Sequence, residues 1–437
     1  MRNILYRLGV PLLVAAAAGC VTMDEDSEKA VAALRIGQTE MALQWSEELA
    51  RESHYTKRLG EVEAARVNML LGRLSQAETW YRRAIDQAID RKEAQPKIKL
   101  SDVGNEVLAG TVTDDRTREY VLSPYELNLA LEYAILTQEA LGKREDALVD
   151  ARLAVYVQDN LAETYGADVT KAEASASATA KGICDDSMKS VTDLMAETRN
   201  SWENPVLWWL TGVLFEANGE RDFALQSYRK AAAIRGDNPV FAADVARLEA
   251  NKPIAETEGR VVFICGEGFV AGRHSLKVPV PLYTAMSIDI PFYRDASYTP
   301  RTVMIGETGL PASAASPAMN IQSLACRDLK DHLPGIVARN LTRAATAAAA
   351  QAAVNHAGND YAKLAVLAAN AAAMAFRRAD TRCWRTLPLG EQVWSATVAP
   401  GTHEFNVSFG EKIQVVKLDL KPGETKILYV NGMEYKQ

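Results

Sequence analysis

The chain is poor in the residues that most chemistry requires. Its 437 residues include five His and five Cys, and aromatics make up 7%. His54, His274, His332, His356 and His403 stand alone, with no second ligand at helical or strand spacing, so they predict surface or capped residues and no metal site. There is no C-x-x-C, H-E-x-x-H, G-x-S-x-G or P-loop. The G-E-G-x-x-x-G at Gly266, Gly268 and Gly272 comes after a strand-like run but opens no helix. It therefore offers a pyrophosphate no helix N-terminus. Asp331-His332 with Ser323 is too generic to be a triad, and Asp380 has no second carboxylate nearby. No cofactor and no catalytic constellation is expected. Beyond the first twenty residues no run approaches the ~20 apolar residues of a membrane span. Basic charge is also in deficit, with a net charge of -7. An acidic body argues against a nucleic-acid partner.

What is present begins at the N-terminus. Arg2 and Arg7 with no acid precede Gly9–Gly19, eleven residues of Gly, Pro, Leu, Val and Ala. A basic start, a short apolar core and small residues mark an export signal over residues 1–19. Ala17-Ala18-Gly19-Cys20 resembles the lipobox of bacterial lipoproteins, with Ala17 where Leu is usual. The resemblance implies cleavage before Cys20 and lipidation of Cys20, a palmitate-type anchor. Val21 comes next, and not the Asp that resembles an inner-membrane retention signal. The expected location is the periplasmic face of the outer membrane. Loss of Arg2 and Arg7 takes the mature charge from -7 to -9. Cys184, Cys265, Cys326 and Cys383 then lie in an oxidising compartment. Their long, irregular spacings leave both bridges and free thiols open.

Residues 20–252 carry a helical period. Counting from Pro205, Trp208, Gly212, Phe215, Gly219, Ala224, Tyr228 and Ala231 fall at positions 4, 8, 11, 15, 20, 24 and 27 of a 34-residue unit. This resembles the tetratricopeptide repeat. Gly212 and Ala224 are the expected close-packing positions, and Trp208, Phe215, Tyr228 and Ala231 fill the space around them. Further copies run through Ala65, Gly72, Ala77, Tyr81 and Ala84, and through Gly142, Ala147, Ala151 and Ala154; a degenerate copy lies near Gly37 and Ala42. The expected N-terminal fold is a helical solenoid whose surface suits protein or peptide partners. Lys92 to Pro124 interrupts it. Ser123-Pro124 reads as a helix start. Lys171 to Cys184 reads as a linker or a mobile surface helix.

Residues 253–437 read as an α+β domain. Strands are expected at Arg260–Cys265, Ser275–Pro281, Ser287–Pro291, Thr302–Ile305, Val393–Val398, Glu404–Ser408, Ile413–Leu418 and Lys426–Val430. Between them Ile321 to Phe376 is helical, with seventeen Ala from Ala344 to Ala375. Gly358-Asn359-Asp360 is the expected turn of an Ala-rich helical hairpin, packed on the sheet or against a partner or second copy. Asp380, Arg382, Trp384 and Arg385 read as a structural cluster.

The runs V-V-F-I-C-G-E-G-F-V-A-G-R-H-S-L-K-V-P-V-P, S-I-D-I-P-F-Y, L-K-D-H-L-P-G-I-V-A-R-N and R-A-D-T-R-C-W-R-T-L-P look like successive signatures of a family of bacterial outer-membrane lipoproteins. Its members combine tetratricopeptide-like repeats with a C-terminal α+β domain. The resemblance carries no established activity. It implies only the context of cell-envelope assembly; the missing catalytic constellation, the repeat array and the anchor together lead to the expectation of a non-catalytic, lipid-anchored scaffold that binds partners through its repeats. The alternative is a lipoprotein that binds or hydrolyses peptidoglycan through its C-terminal domain.

Overall fold

The computed structural model describes residues 23–432, apart from 53–55, 91–96, 99–114, 281–286, 295, 357–359, 362 and 369–377. The signal segment, Cys20, His54 and the turn at 358–359 lie outside the described residues.

The fold mixes helices and sheets, with helices leading. Four antiparallel helix pairs are built alike: α1 (Met23–Arg35) with α2 (Thr39–Glu52), α3 (Lys57–Leu70) with α4 (Leu74–Ala88), α5 (Pro124–Ala140) with α6 (Arg144–Ser175), and, after α7 (Ala178–Met188) and the one-turn α8 (Thr192–Met195), α9 (Pro205–Ala217) with α10 (Arg221–Ile234). Helix α11 (Pro239–Glu249) packs on the last pair. Each pair turns on a glycine. Gly37, Gly72, Gly142 and Gly219 have φ of 76°, 72°, 73° and 78°. Each donates its N–H to the carbonyl three residues back, and the next residue donates to the one five back, as at Gly219→Glu216 and Glu220→Phe215. This is the glycine-stopped helix end that only a residue without Cβ enters cheaply. Helix starts are also written locally. Asn204 Oδ1 accepts the Leu207 N–H ahead of Pro205, and Asn238 Oδ1 does the same for Val240 and Phe241 ahead of Pro239. Lys171 to Cys184 is mostly helical: α6 runs on to Ser175, and Ser177 caps α7.

A short pair, β1 (Ile89–Asp90) with β2 (Lys97–Ile98), lies in the helical half. The second half holds two four-stranded sheets. One is made of β3 (Gly259–Glu267), β8 (Ser316–Asn320), β9 (Gly390–Val398) and β12 (Thr425–Asn431), in the order β12-β3-β9-β8. There β12 is parallel to β3, with Thr425 opposite Arg260, and the other pairings are antiparallel. The other is made of β6 (Val303–Glu307), β7 (Ser313–Ala314), β10 (Gly401–Phe409) and β11 (Lys412–Leu420), in the order β11-β10-β6-β7. A hairpin of β4 (His274–Pro279) and β5 (Ser287–Phe292) stands apart. Strands β7 and β8 have no counterpart among the expected strands. Their Ser/Ala/Pro composition carries no strand signal.

Strand β3 is buried along its whole length, because it is central to a three-layer stack. Val261, Phe263 and Cys265 point into a core shared with Phe405, Val407 and Phe409 of the second sheet. Val262 and Ile264 point the other way, into a core that also holds Val393, Ile427 and the apolar side chains of the helices. That core crosses the position 252/253 without a break, from Leu49 to Ile427. Helix α5 lies at its centre, with every residue from Pro124 to Gln138 buried. The last helix, α12 (Ile321–His356), is buried over its first part and exposed over much of its last turns. Helix resumes at 360–361 and 363–368, where Leu364 and Leu367 are exposed.

Candidate functional site: the junction of the helical and sheet halves

The polar chemistry of this molecule converges where the first helices of the pairs meet the first sheet. Helices α3 and α5 carry charged residues that never reach water. Glu63, Arg66, Glu126 and Glu132 are all at most 1% exposed. Burial of such groups is costly unless each finds partners, and here the partners come from the second half of the chain.

Residues 379–389 form an irregular, mostly buried strap across these helices. Glu63 accepts the N–H of Arg385 at 2.6 Å, the N–H of Thr386 at 3.2 Å and the Thr386 hydroxyl at 2.6 Å. Glu126 accepts the Ser123 N–H at its own helix start, the Tyr120 hydroxyl at 2.6 Å and the Trp384 N–H at 3.2 Å. Arg382 pairs with Asp380 and donates to the carbonyls of Arg118 and Asp115. Trp384 is fully buried, edge-on to Tyr133 and tilted against Tyr81. On its other side the strap bonds β3 and the turn beyond it: the Val270 N–H donates to the Leu387 carbonyl, and the Leu389 N–H to the Glu267 carbonyl. The Gly266–Gly272 motif is the seat of this strap. A Cβ on Gly268 would meet Leu389 at 2.7 Å, and one on Gly272 would meet the Arg385 guanidinium at 2.1 Å. After Gly268 the chain enters β4 and not a helix.

Beside the strap, Arg66 donates to the Tyr429 hydroxyl, with its guanidinium 4.0 Å above the Tyr133 ring and 4.7 Å above that of Tyr429. Glu391 on β9 accepts the Tyr133 hydroxyl at 2.8 Å, and Glu132 accepts Asn204 Nδ2 at 2.7 Å. A second lock lies at the far end. Arg260 of β3 reaches Asp244 at 2.5 Å, Glu216 at 3.0 Å and the Tyr228 hydroxyl at 2.9 Å, while Trp209 Nε1 donates to Asp244. A third joins Ser201 to Asp331 at 2.6 Å and Arg273 to Asp328 at 3.1 Å.

Burial sets the acidities. It pushes the Glu63 carboxyl up to about 7, against the opposing pull of Thr386 and Arg385. It raises Asp331 to about 6 and raises Glu126 as well. Asp244 goes the other way: its burial is outweighed by Arg260, Arg247 and Trp209, and its carboxyl is held low. The thiols Cys184, Cys265, Cys326 and Cys383 are free and buried, and burial lifts each above the range of a reactive thiolate.

The residues singled out by the repeat pattern sit at the α9–α10 pair. A Cβ on Gly212 would stand 2.6 Å from the Tyr228 ring and 3.2 Å from the Ala224 carbonyl. Ala224, Tyr228 and Ala231 are fully buried, and Trp208 and Phe215 nearly so. Tyr228 also donates to Glu216, so one aromatic both fills the pair and meets β3 through Arg260. Ser323 bonds the Leu194 carbonyl at 2.6 Å, while Asp331 bonds Ser201, so no triad is assembled from them. His332 sits against the Asp328 carbonyl and Tyr165, and His403 against Glu307 and the Ala399 carbonyl. Among the described residues no group of three or more His, Cys, Asp or Glu could hold a metal ion. Glu63, Arg66, Glu132, Arg260 and Glu391 carry no motif that marks them in the sequence. A small cleft of about 30 Å³ opens between Arg199, Arg235 and Asn320, room for little more than a water molecule.

Comparison of the chain with family models, with curated proteins and with solved structures finds no match.

Proposed function

We propose that the chain is a lipid-anchored periplasmic scaffold of the bacterial envelope, held through Cys20, whose helical half is a tetratricopeptide-like array. The four glycine-stopped helix pairs support the array reading, with Gly37 and Gly72 separated by 35 residues, about one repeat length. Two first helices of that array, α3 and α5, are engaged by the chain's own strap, which leaves the second helices as the surface offered to a partner. One observation carries this: Met41 on α2, Val149 on α6 and Phe223 on α10 are 46%, 56% and 59% exposed, each within the first two turns of the second helix of its pair. Three of the four pairs thus carry an exposed apolar side chain near the start of the second helix, the α3–α4 pair being the exception, and such side chains suit a protein partner. The non-catalytic reading rests on the use made of the acids. Glu63, Glu126, Glu132 and Glu391 each hold part of the junction, away from any polymer chain outside.

The test compares anchored protein with a soluble version lacking residues 1–20. A scaffold keeps its fold and its partner binding in vitro when released, and loses its cellular effect. Metabolic palmitate should label the wild type and not Cys20→Ser. Turnover of peptidoglycan by the purified soluble protein would replace this reading with that of a cell-wall enzyme.

A further inference from the structure

Two carboxyl groups meet at the centre of the junction with no cation between them. Glu132 comes from α5 and Glu391 from β9, and both are fully buried. Glu132 Oε2 is satisfied by Asn204 and Glu391 Oε1 by Tyr133. The remaining oxygens, Glu132 Oε1 and Glu391 Oε2, are buried and accept from no donor. The two carboxyls lie close enough that each bears on the acidity of the other. Two carboxylates cannot both be charged in such a place, and a hydrogen bond between two carboxyl oxygens requires a proton on one of them.

The surroundings fix how many protons. The titratable or charged groups that face the pair are Arg66 of α3, Tyr133 of α5, Tyr429 of β12, Cys265 and Glu267 of β3, and Tyr298. Glu267 is already matched by Arg301 and the Tyr298 hydroxyl. The tyrosines and the thiol are neutral. Among the described residues Arg66 is the one cation that faces the pair, and its close partners are the Tyr429 hydroxyl, the Met69 sulfur and two ring faces. One positive charge balances a pair carrying one negative charge.

We propose that Glu132 and Glu391 share a single proton that fastens the sheet half to the helical half, so that the junction is a latch released when that proton leaves. With the proton gone, two adjacent buried anions face one arginine, and the repulsion acts along the line that separates α5 from β9. The occupant of the site is the proton itself, and opening exposes the first-helix face now covered by the strap.

The test is amide hydrogen exchange across pH 5 to 9 on the intact mature chain, corrected for the intrinsic pH dependence of exchange. In the wild type, protection in α5 and β9 should fall more steeply with pH than in the outer strands β10 and β11, by about tenfold per pH unit, one proton's worth. In Glu391→Gln the amide donates to Glu132 in place of the shared proton and cannot ionise. The slope should fall by one proton's worth, the remainder belonging to the raised carboxyls of Glu63 and Glu126, and Glu132→Gln should behave likewise, which covers the case in which one variant fails to fold. Equal slopes in the inner and outer strands of the wild type would overturn the proposal. So would variants whose α5 and β9 protection falls as steeply as the wild type's.

Discussion

At the scale of single residues, the two most informative positions differ in how they announce themselves. Gly212 is legible in the sequence, because a small residue at a fixed distance from Ala224 and Tyr228 is a statement about local packing. A Leu there must displace the Tyr228 ring that now lies 2.6 Å from the Cβ position. Gly212→Leu should therefore cost ~1–3 kcal/mol in urea unfolding; an unchanged midpoint would mean that the helix pair is not packed as described. Arg260 is not legible in its role. It reads as the polar edge of a strand, and its partners Asp244, Glu216 and Tyr228 lie on three other elements. Arg260→Ala leaves Asp244 and Glu216 with less of their compensating charge and should cost ~3–5 kcal/mol. A loss under ~1 kcal/mol, the value of an exposed pair, would contradict the burial of this lock.

Elements show the same division between what is local and what is not. The strands from β3 to β6 and β9 to β12 fall close to where alternation and turn residues put them, and the helix starts at Ser123, Asn204 and Asn238 agree with capping chemistry. The strap is different. R-A-D-T-R-C-W-R-T-L-P reads as a structural cluster, but its seat is made by Glu63, Glu126 and the Gly266–Gly272 segment, more than a hundred residues away. No periodicity encodes a partner at that distance. The same distance explains why G-E-G-x-x-x-G resembles a nucleotide loop: close backbone approach calls for glycine whether the guest is a pyrophosphate or the chain itself. Trp384→Ala should empty the space between Tyr81 and Tyr133 and cost ~3–5 kcal/mol. Because the strap touches both halves, thermal unfolding monitored by far-ultraviolet and by aromatic signals should shift together. A shift in one signal alone would show that the strap serves one half only.

For the whole molecule, the continuous core and the buried acids of the junction make one linked unit. The linkage has a sign. Glu63 rises from 4.5 to about 7 on folding and Asp331 from 3.8 to about 6, both through burial. Between those values the folded chain holds protons that the unfolded chain has released. Through these two groups stability is highest near the ordinary carboxylate range and falls as pH rises from about 4.5 to about 7, while Asp244, held low, gives up its contribution below that range. Urea midpoints at pH 5 and pH 8 check this, and a higher midpoint at pH 8 would contradict it. The union of the halves also decides where a partner can bind. Helices α3 and α5 hold the chain's own strap, and α2, α6 and α10 present Met41, Val149 and Phe223. On the proposed scaffold reading, the most direct measurement places a photo-crosslinking residue at Phe223, at Val149 and, on the strap, at Arg385, in the full chain within intact cells. Adducts to another protein from positions 223 and 149, with only intramolecular products from 385, are the predicted result. Partner adducts from 385 and none from 223 or 149 would contradict it.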